Sequence, residues 1–233
     1  MYRHDMKRPP FLHLSMVVFS ISICFCADAA TLITFSAPEL VVIQNGGEIS
    51  GFWGSTGNGF SCKFLFNSTG PRTASGQFQP QSVQAFSFAG HNYQYSQRLK
   101  DADTTGTIYV DGDQWALQLA DEPPGCGSGS GSFVSPPVFP DGKLGPRYVA
   151  SGSMPAVGIR VVSEKADLYD KVGDTYRKRK SYLVNGDMVV ILSDDSNYAR
   201  VRYVNPLYSA STYTKPVIAW VQKKELIDPF QKK

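Results

Sequence analysis

Histidine and cysteine are scarce in this 233-residue chain, which has three of the first and four of the second. Past residue 29 only His91, Cys62 and Cys126 remain. A zinc site needs several such ligands, and one imidazole beside two thiols cannot supply them once the thiols pair. Charged residues make up 18%, below the usual ~25%, which disfavours a long coiled coil. With 21 glycines and 15 prolines, usage lies near the average of roughly 7% and 5%. A collagen-like chain and a wholly disordered one are therefore excluded. After Cys26 no apolar run approaches the ~20 residues of a spanning helix. Nor does any window of three helical turns carry a clean apolar stripe.

The chain opens with an export pattern. Arg3, Lys7 and Arg8 precede an uncharged apolar run, Phe11 to Cys26, and Ala27-Asp28-Ala29 places small residues at a cleavage site. Residues 1–29 read as a signal peptide, cut after Ala29 or Ala30. Ile23 before Cys24 and Phe25 before Cys26 do not fit a bacterial lipidation box. The expected location is the periplasm, or else outside the cell, with no stable membrane insertion. The remaining chain has 20 Lys and Arg against 18 Asp and Glu, a formal +2. In an exported chain Cys62 and Cys126 most simply form one disulfide. The loop so closed corresponds to about 4 kcal/mol of chain entropy.

The periodicity is that of strands. Phe60, Cys62, Phe64 and Phe66 alternate onto one face. Thr107–Val110 and Gln114–Leu119 flank Asp111-Gly112-Asp113, a hairpin signal because Gly tolerates positive φ. Gly51-Phe52-Trp53-Gly54, Cys62 and Trp115 look like core landmarks of a small β domain. A short helix is conceivable over 92–100. Between Gly125 and Pro155 composition shifts to Gly/Ser, followed by Pro136, Pro137, Pro140, Pro146 and Pro155. Such a stretch reads as a linker. Residues 30–150 carry 6 basic and 9 acidic side chains, and 151–233 carry 14 and 9. The expected organisation is signal peptide 1–29, β domain 30–133, linker 134–156, second β domain 157–228 and tail 229–233. The fold class is all-β: a small sandwich or barrel with one disulfide, then a second barrel.

In the second half Leu183, Gly186, Asp187, Val189, Ile191, Tyr198, Val201, Trp220, Val221 and Leu226 follow a recognisable order. An apolar residue and a Gly-Asp turn open a strand, an aromatic starts the next, and a Trp-Val step precedes a closing Leu. This resembles the bacterial SH3-like (SH3b) domain over about seventy residues. Ala219 stands where that family usually has Gly, and Asn205–Pro216 is longer than its usual tight turn. The resemblance implies an SH3-like β-barrel and a non-catalytic module for cell-wall peptides or proteins. Trp220 is expected in its core.

Catalytic patterns are weak. Wall peptidases with SH3-like appendages use Cys with a distant His, but a bridged Cys62 cannot attack. His91, in Gly90-His91-Asn92-Tyr93, reads as a turn residue. Gly127-Ser128-Gly129-Ser130-Gly131 has elbow spacing without the flanking strand and helix. Asp101-Ala102-Asp103 starts like a calcium loop, but Gly112 occupies the twelfth position. Asp111 and Asp113 suit a hairpin turn. Asp121 and Glu122, before Pro123-Pro124, show no glycosidase pair geometry. No catalytic residue, metal or cofactor is assigned.

The strongest charge feature is Arg177-Lys178-Arg179-Lys180, read as a loop before Leu183, with Tyr169, Tyr176 and Tyr182 around it. Aromatic and basic residues together suit sugars, anionic polymers and acidic protein surfaces. Export argues against nucleic acid. The sequence thus points to a non-catalytic binding protein of the bacterial envelope. Its expected partner is peptidoglycan or an envelope protein such as a cell-wall hydrolase. Two alternatives stand beside it: a periplasmic inhibitor or immunity protein against a wall-degrading enzyme, and an unrecognised hydrolase.

Overall fold

The computed structural model describes residues 30–57, 60–73, 79–127, 133–134, 147–206 and 215–230. The proposed signal peptide, most of the proposed linker before Arg147, the side chain of Phe60 and the last three residues lie outside them.

The first seven strands are β1 (Thr31–Phe35), β2 (Leu40–Asn45), β3 (Glu48–Gly57), β4 (Phe60–Ser68), β5 (Gln79–Phe86), β6 (Thr104–Asp111) and β7 (Gln114–Leu119). They run as an antiparallel meander, and β8 (Tyr148–Pro155) closes it against β1 into an eight-stranded barrel. The first unit is thus a barrel, not a sandwich. The expected helix over 92–100 is only a pair of 3-10 turns, Tyr95–Gln97 and Lys100–Ala102. Gly112, at φ 60°, makes the β6–β7 turn.

Strand β8 corrects the linker expected over 134–156. Its pairs run from Thr31↔Pro155 to Phe35↔Ala150. Without it β1 would present an unpaired edge, and closure removes that edge. Pro155 is tolerated because it is the strand's last residue. Pairing of β7 with β8 stops at Trp115↔Tyr148. Farther along β7, the Leu119 N–H instead donates to the Phe133 carbonyl at 2.8 Å. The Phe133 ring enters the lumen, 5.1 Å from Trp53 and 5.0 Å from Phe64 between ring centres. The Cys62–Cys126 disulfide ties this crossing segment to β4, with the Cα atoms 4.6 Å apart. The lumen is filled: Phe35, Trp53, Cys62, Phe64, Phe66 and Trp115 are all buried there.

The second unit holds β9 (Gly158–Val162), β10 (Lys165–Val172), β11 (Thr175–Val184), β12 (Met188–Asp194), β13 (Tyr198–Tyr203), β14 (Val217–Gln222) and β15 (Leu226–Ile227). They form one antiparallel sheet in the order β11-β10-β14-β13-β12-β9-β15. The sheet curls as a half-barrel and stays open, where a closed barrel was expected. Its concave face buries Leu168, Leu183, Val189, Ile191, Val201 and Val221, with Ala166, Ala199 and Ala219 leaving room for the curl. Strand alternation decides the fate of Trp220. Ala219 and Val221 point into this core, so Trp220 points out and is only half-buried, contrary to the expected core position.

A third apolar cluster joins the units. Leu32, Val41, Ile43, Leu65 and Phe86 on the outside of the barrel meet Ile159 and Val190 on the convex face of the sheet. Only Ala156 and Val157 separate β8 from β9, and both donate backbone hydrogen bonds, to Ala30 and to Ile191. The boundary therefore falls at 156–157. A polar corner closes one end of the seam. His91 Nδ1 lies 2.6 Å from Asn185 Oδ1, which also accepts from the Tyr93 hydroxyl. Gly186, at φ 83°, completes this turn. A Cβ there would sit 2.6 Å from the Tyr93 oxygen, so both backbone and space require glycine.

Candidate functional site

Among the described residues, the barrel covers the convex face of the second sheet on one side only. Met188, Val190 and Leu192 of β12 pack into the seam. Strands β13, β14, β10 and β11 lie beyond it. Alternation puts Tyr198 and Arg200, then Trp220 and Gln222, then Tyr169 and Lys171, on that uncovered face. Lys178 and Tyr176 stand opposite Tyr169 and Lys171 on β11.

These side chains make one cluster. Tyr176 and Tyr198 stack with ring centres 3.8 Å apart and 12° between planes. Tyr169 meets Tyr198 edge-on at 5.2 Å, and Trp220 meets Tyr176 edge-on at 5.5 Å. The Lys171 ammonium lies 5.1 Å from the Trp220 ring centre and 5.5 Å from that of Tyr176. Both the Lys171 ammonium and the Tyr176 hydroxyl donate to Asp195 Oδ2 at 2.5 Å. Together with the Ser196 N–H, they hold the Asp195 carboxyl well below the usual carboxylate range. Asp195 in turn pushes the Lys171 ammonium up. The Gln222 amide donates to the Tyr169 hydroxyl at 3.0 Å. All four rings stay half-buried, fixed on the sheet side and open on the other.

The basic run is in a strand, not a loop. Arg177–Lys180 lies within β11, the long edge of the sheet. A bulge opposes Asp167 to Tyr182 and Tyr169 to Lys178, so the four charges do not share one face. Lys178 bonds Asp167 beside Tyr169 and lowers that carboxyl. Arg179 turns away, bonding Asp170 at 2.6 Å and the Ile218 carbonyl at 3.1 Å. Arg177 is exposed opposite Asp170, and Lys180 is exposed within the bulge. Tyr182 is exposed further along the strand, under the Lys165 ammonium at 4.4 Å. Of the residues singled out from sequence, Tyr169, Tyr176 and Lys178 come together. Lys171, Tyr198, Trp220 and Asp195 join them unforeseen. Strict two-residue alternation along β10, β13 and β14 was the signal that could have found the first three.

The other chemical candidates have structural roles. Cys62 and Cys126 are bonded to each other. His91 faces an amide, Asn185. Asp103 pairs with Arg98 at 2.9 Å. Glu122 accepts from the Phe133 N–H at 2.9 Å. Among the described residues no three His, Cys, Asp or Glu side chains gather as metal ligands, and no helix is long and apolar enough to cross a membrane.

Comparison with known proteins gives no match, whether to family models, to curated proteins or to solved structures.

Proposed function

We propose that this is an exported, non-catalytic binding protein of the bacterial envelope, and that its SH3-like second unit engages peptidoglycan through the convex face beyond β12. The observation that carries this reading is the cluster of Tyr169, Tyr176, Tyr198 and Trp220 with Lys171 at its centre. Aromatic rings of this size are normally used as core, and rings held half-open beside ammonium groups suit stacking on sugars and attraction to acidic groups. Peptidoglycan offers both, as do acidic envelope proteins. The filled lumen of the first barrel leaves its outer surface for contacts and suits a support for the second unit. The Cys62–Cys126 bridge fits an oxidising compartment.

Sedimentation with isolated peptidoglycan, run beside a pull-down from an envelope extract, tests the proposal. Native protein is expected to co-sediment, and less so as salt rises. The Tyr198→Ala, Trp220→Ala double variant is expected to stay in the supernatant while remaining folded. Native protein that leaves peptidoglycan untouched yet captures one envelope protein would replace the wall by a protein partner. Capture unaffected by the double variant would reject this face.

A further inference from the structure

Beyond the apolar seam, the junction of the two units opens into a cleft of about 310 Å³. We propose that this cleft is a second, independent binding site, and that its ligand is a neutral pyranose sugar.

Four features select that chemistry. The volume is at the lower end of the roughly 300–1,000 Å³ of ligand sites, which suits one sugar ring rather than a chain. Ile43 and Ile159 close the floor but are almost fully buried, so the accessible apolar surface comes from the exposed Val157 and the half-buried Phe230, which is held edge-to-face on Phe86 at 5.9 Å. Such a surface takes the C–H face of a pyranose. The walls are polar and planar: the Asn45 and Asn67 amides on the barrel, and the Arg160–Asp228 pair, 3.4 Å apart, on the sheet. An amide can bond two neighbouring ring hydroxyls at once, and the Arg160–Asp228 pair, already joined to each other, to the Ile159 carbonyl and to the Phe230 N–H, offers its remaining donors and lone pairs beside it. The charges also exclude other ligands. Arg160 is paired with Asp228, so the sheet wall offers an anion no free guanidinium. The polar walls disfavour a fatty chain.

The cleft also fits this fold physically. Asn45 precedes the β2–β3 turn and Asn67 nearly ends β4, while Arg160 is central in β9. The two walls therefore belong to different units, held at fixed spacing by the two-residue connection and the seam. A site assembled this way needs no moving part.

Amide NMR spectra of the full chain from Ala30 onward, titrated with N-acetylglucosamine, glucose and inorganic phosphate, test this without reference to peptidoglycan. At least one sugar is expected to give saturable shifts at Asn45, Asn67, Arg160 and Phe230, with dissociation constants on the order of millimolar, unchanged by salt. Phosphate is expected to leave those signals in place. Asn67→Ala should weaken the sugar at least tenfold. Should that variant unfold, the exposed Asn45→Ala should still weaken it by a smaller factor. Saturable phosphate shifts at these positions, no saturable sugar shift there, or native sugar affinity in both variants would each overturn the proposal. Sugar shifts confined to Tyr198 and Trp220 would likewise overturn it, assigning sugar recognition to the convex face.

Discussion

The barrel and the half-barrel solve one problem in opposite ways. Both are antiparallel sheets built from strands of similar length. The barrel turns both of its tryptophans inward, where Trp53 and Trp115 keep 4% and 5% of their surface exposed. The open sheet turns aliphatic and small residues inward and puts Tyr169, Tyr176, Tyr198 and Trp220 on its convex face. A closed lumen is wide and needs large side chains to fill it. The curled sheet fills its concave face with Leu, Ile, Val and Ala, with Tyr203 packed beside them. The four convex-face aromatics lie outside that core. In the proposed reading, the same residue type serves stability in one unit and recognition in the other.

The largest way to sharpen this contrast is Trp115→Ala. The lumen walls are pinned by barrel hydrogen bonds and cannot collapse into the void, so the loss should reach the top of the usual range, about 5 kcal/mol. Urea unfolding measures it. Next comes the double variant Cys62→Ala, Cys126→Ala. The 64-residue separation corresponds to a loss of about 4 kcal/mol on loop-closure grounds, read in the same assay. Both effects belong to the barrel.

Alkaline titration gives a smaller effect, also in the barrel. Tyr148 accepts a hydrogen bond from the Trp53 indole at 2.9 Å. Burial is the largest influence on its hydroxyl and pushes it up to about 12, against the lowering effect of that bond. A raised tyrosine contributes stability that is fully present below the unfolded value, near 10, and is lost as pH rises toward the folded one. The expected loss between those limits is about 2 kcal/mol. Chemical denaturation across that window measures it, and a flat profile would contradict the burial assigned to this ring. On the convex face, acid should act weakly. Asp195, lowered chiefly by Lys171 and Tyr176, contributes above the ordinary carboxylate range, and its contribution fades as pH falls below it. Asp195→Asn should leave the melting temperature at neutral pH almost unchanged, since solvent screens an exposed pair. It should nonetheless release the Lys171 ammonium, seen as a shift of its NMR signal.

Much of the fold was legible in alternation and composition. Cys62, Phe64, Trp53 and Trp115 read as core, and Gly112 as a hairpin turn, because each depends on local pattern alone. The disulfide followed from having two cysteines to pair. Strand β8 was hidden because Ser151, Gly152 and Ser153 have weak strand preference, and what holds them is pairing to β1 more than a hundred residues earlier. The seam was hidden for a related reason. Leu32, Val41 and Ile43 lie on the outside of a barrel, and only the second unit tells the chain to cover them. At the candidate site, sequence found the charge but misjudged its placement. Four adjacent basic residues read as a loop, whereas an edge strand is a favoured place for such charges because they discourage edge-to-edge pairing. Trp220 was misread because the resemblance put its Trp-Val step in the core, whereas alternation sends Ala219 and Val221 inward and Trp220 out.

Whether aromatic residues stabilise the first unit and recognise a ligand in the second is decided by placing Trp115→Ala and Trp220→Ala in the same two assays, urea unfolding and co-sedimentation with isolated peptidoglycan. Trp115→Ala is predicted to lose about 5 kcal/mol and, at temperatures where it stays folded, to sediment like the native protein. Trp220→Ala is predicted to lose about 1 kcal/mol and to bind at least tenfold more weakly. A Trp220→Ala protein that unfolds as readily as Trp115→Ala, or that binds peptidoglycan as well as the native chain does, would contradict this division of roles.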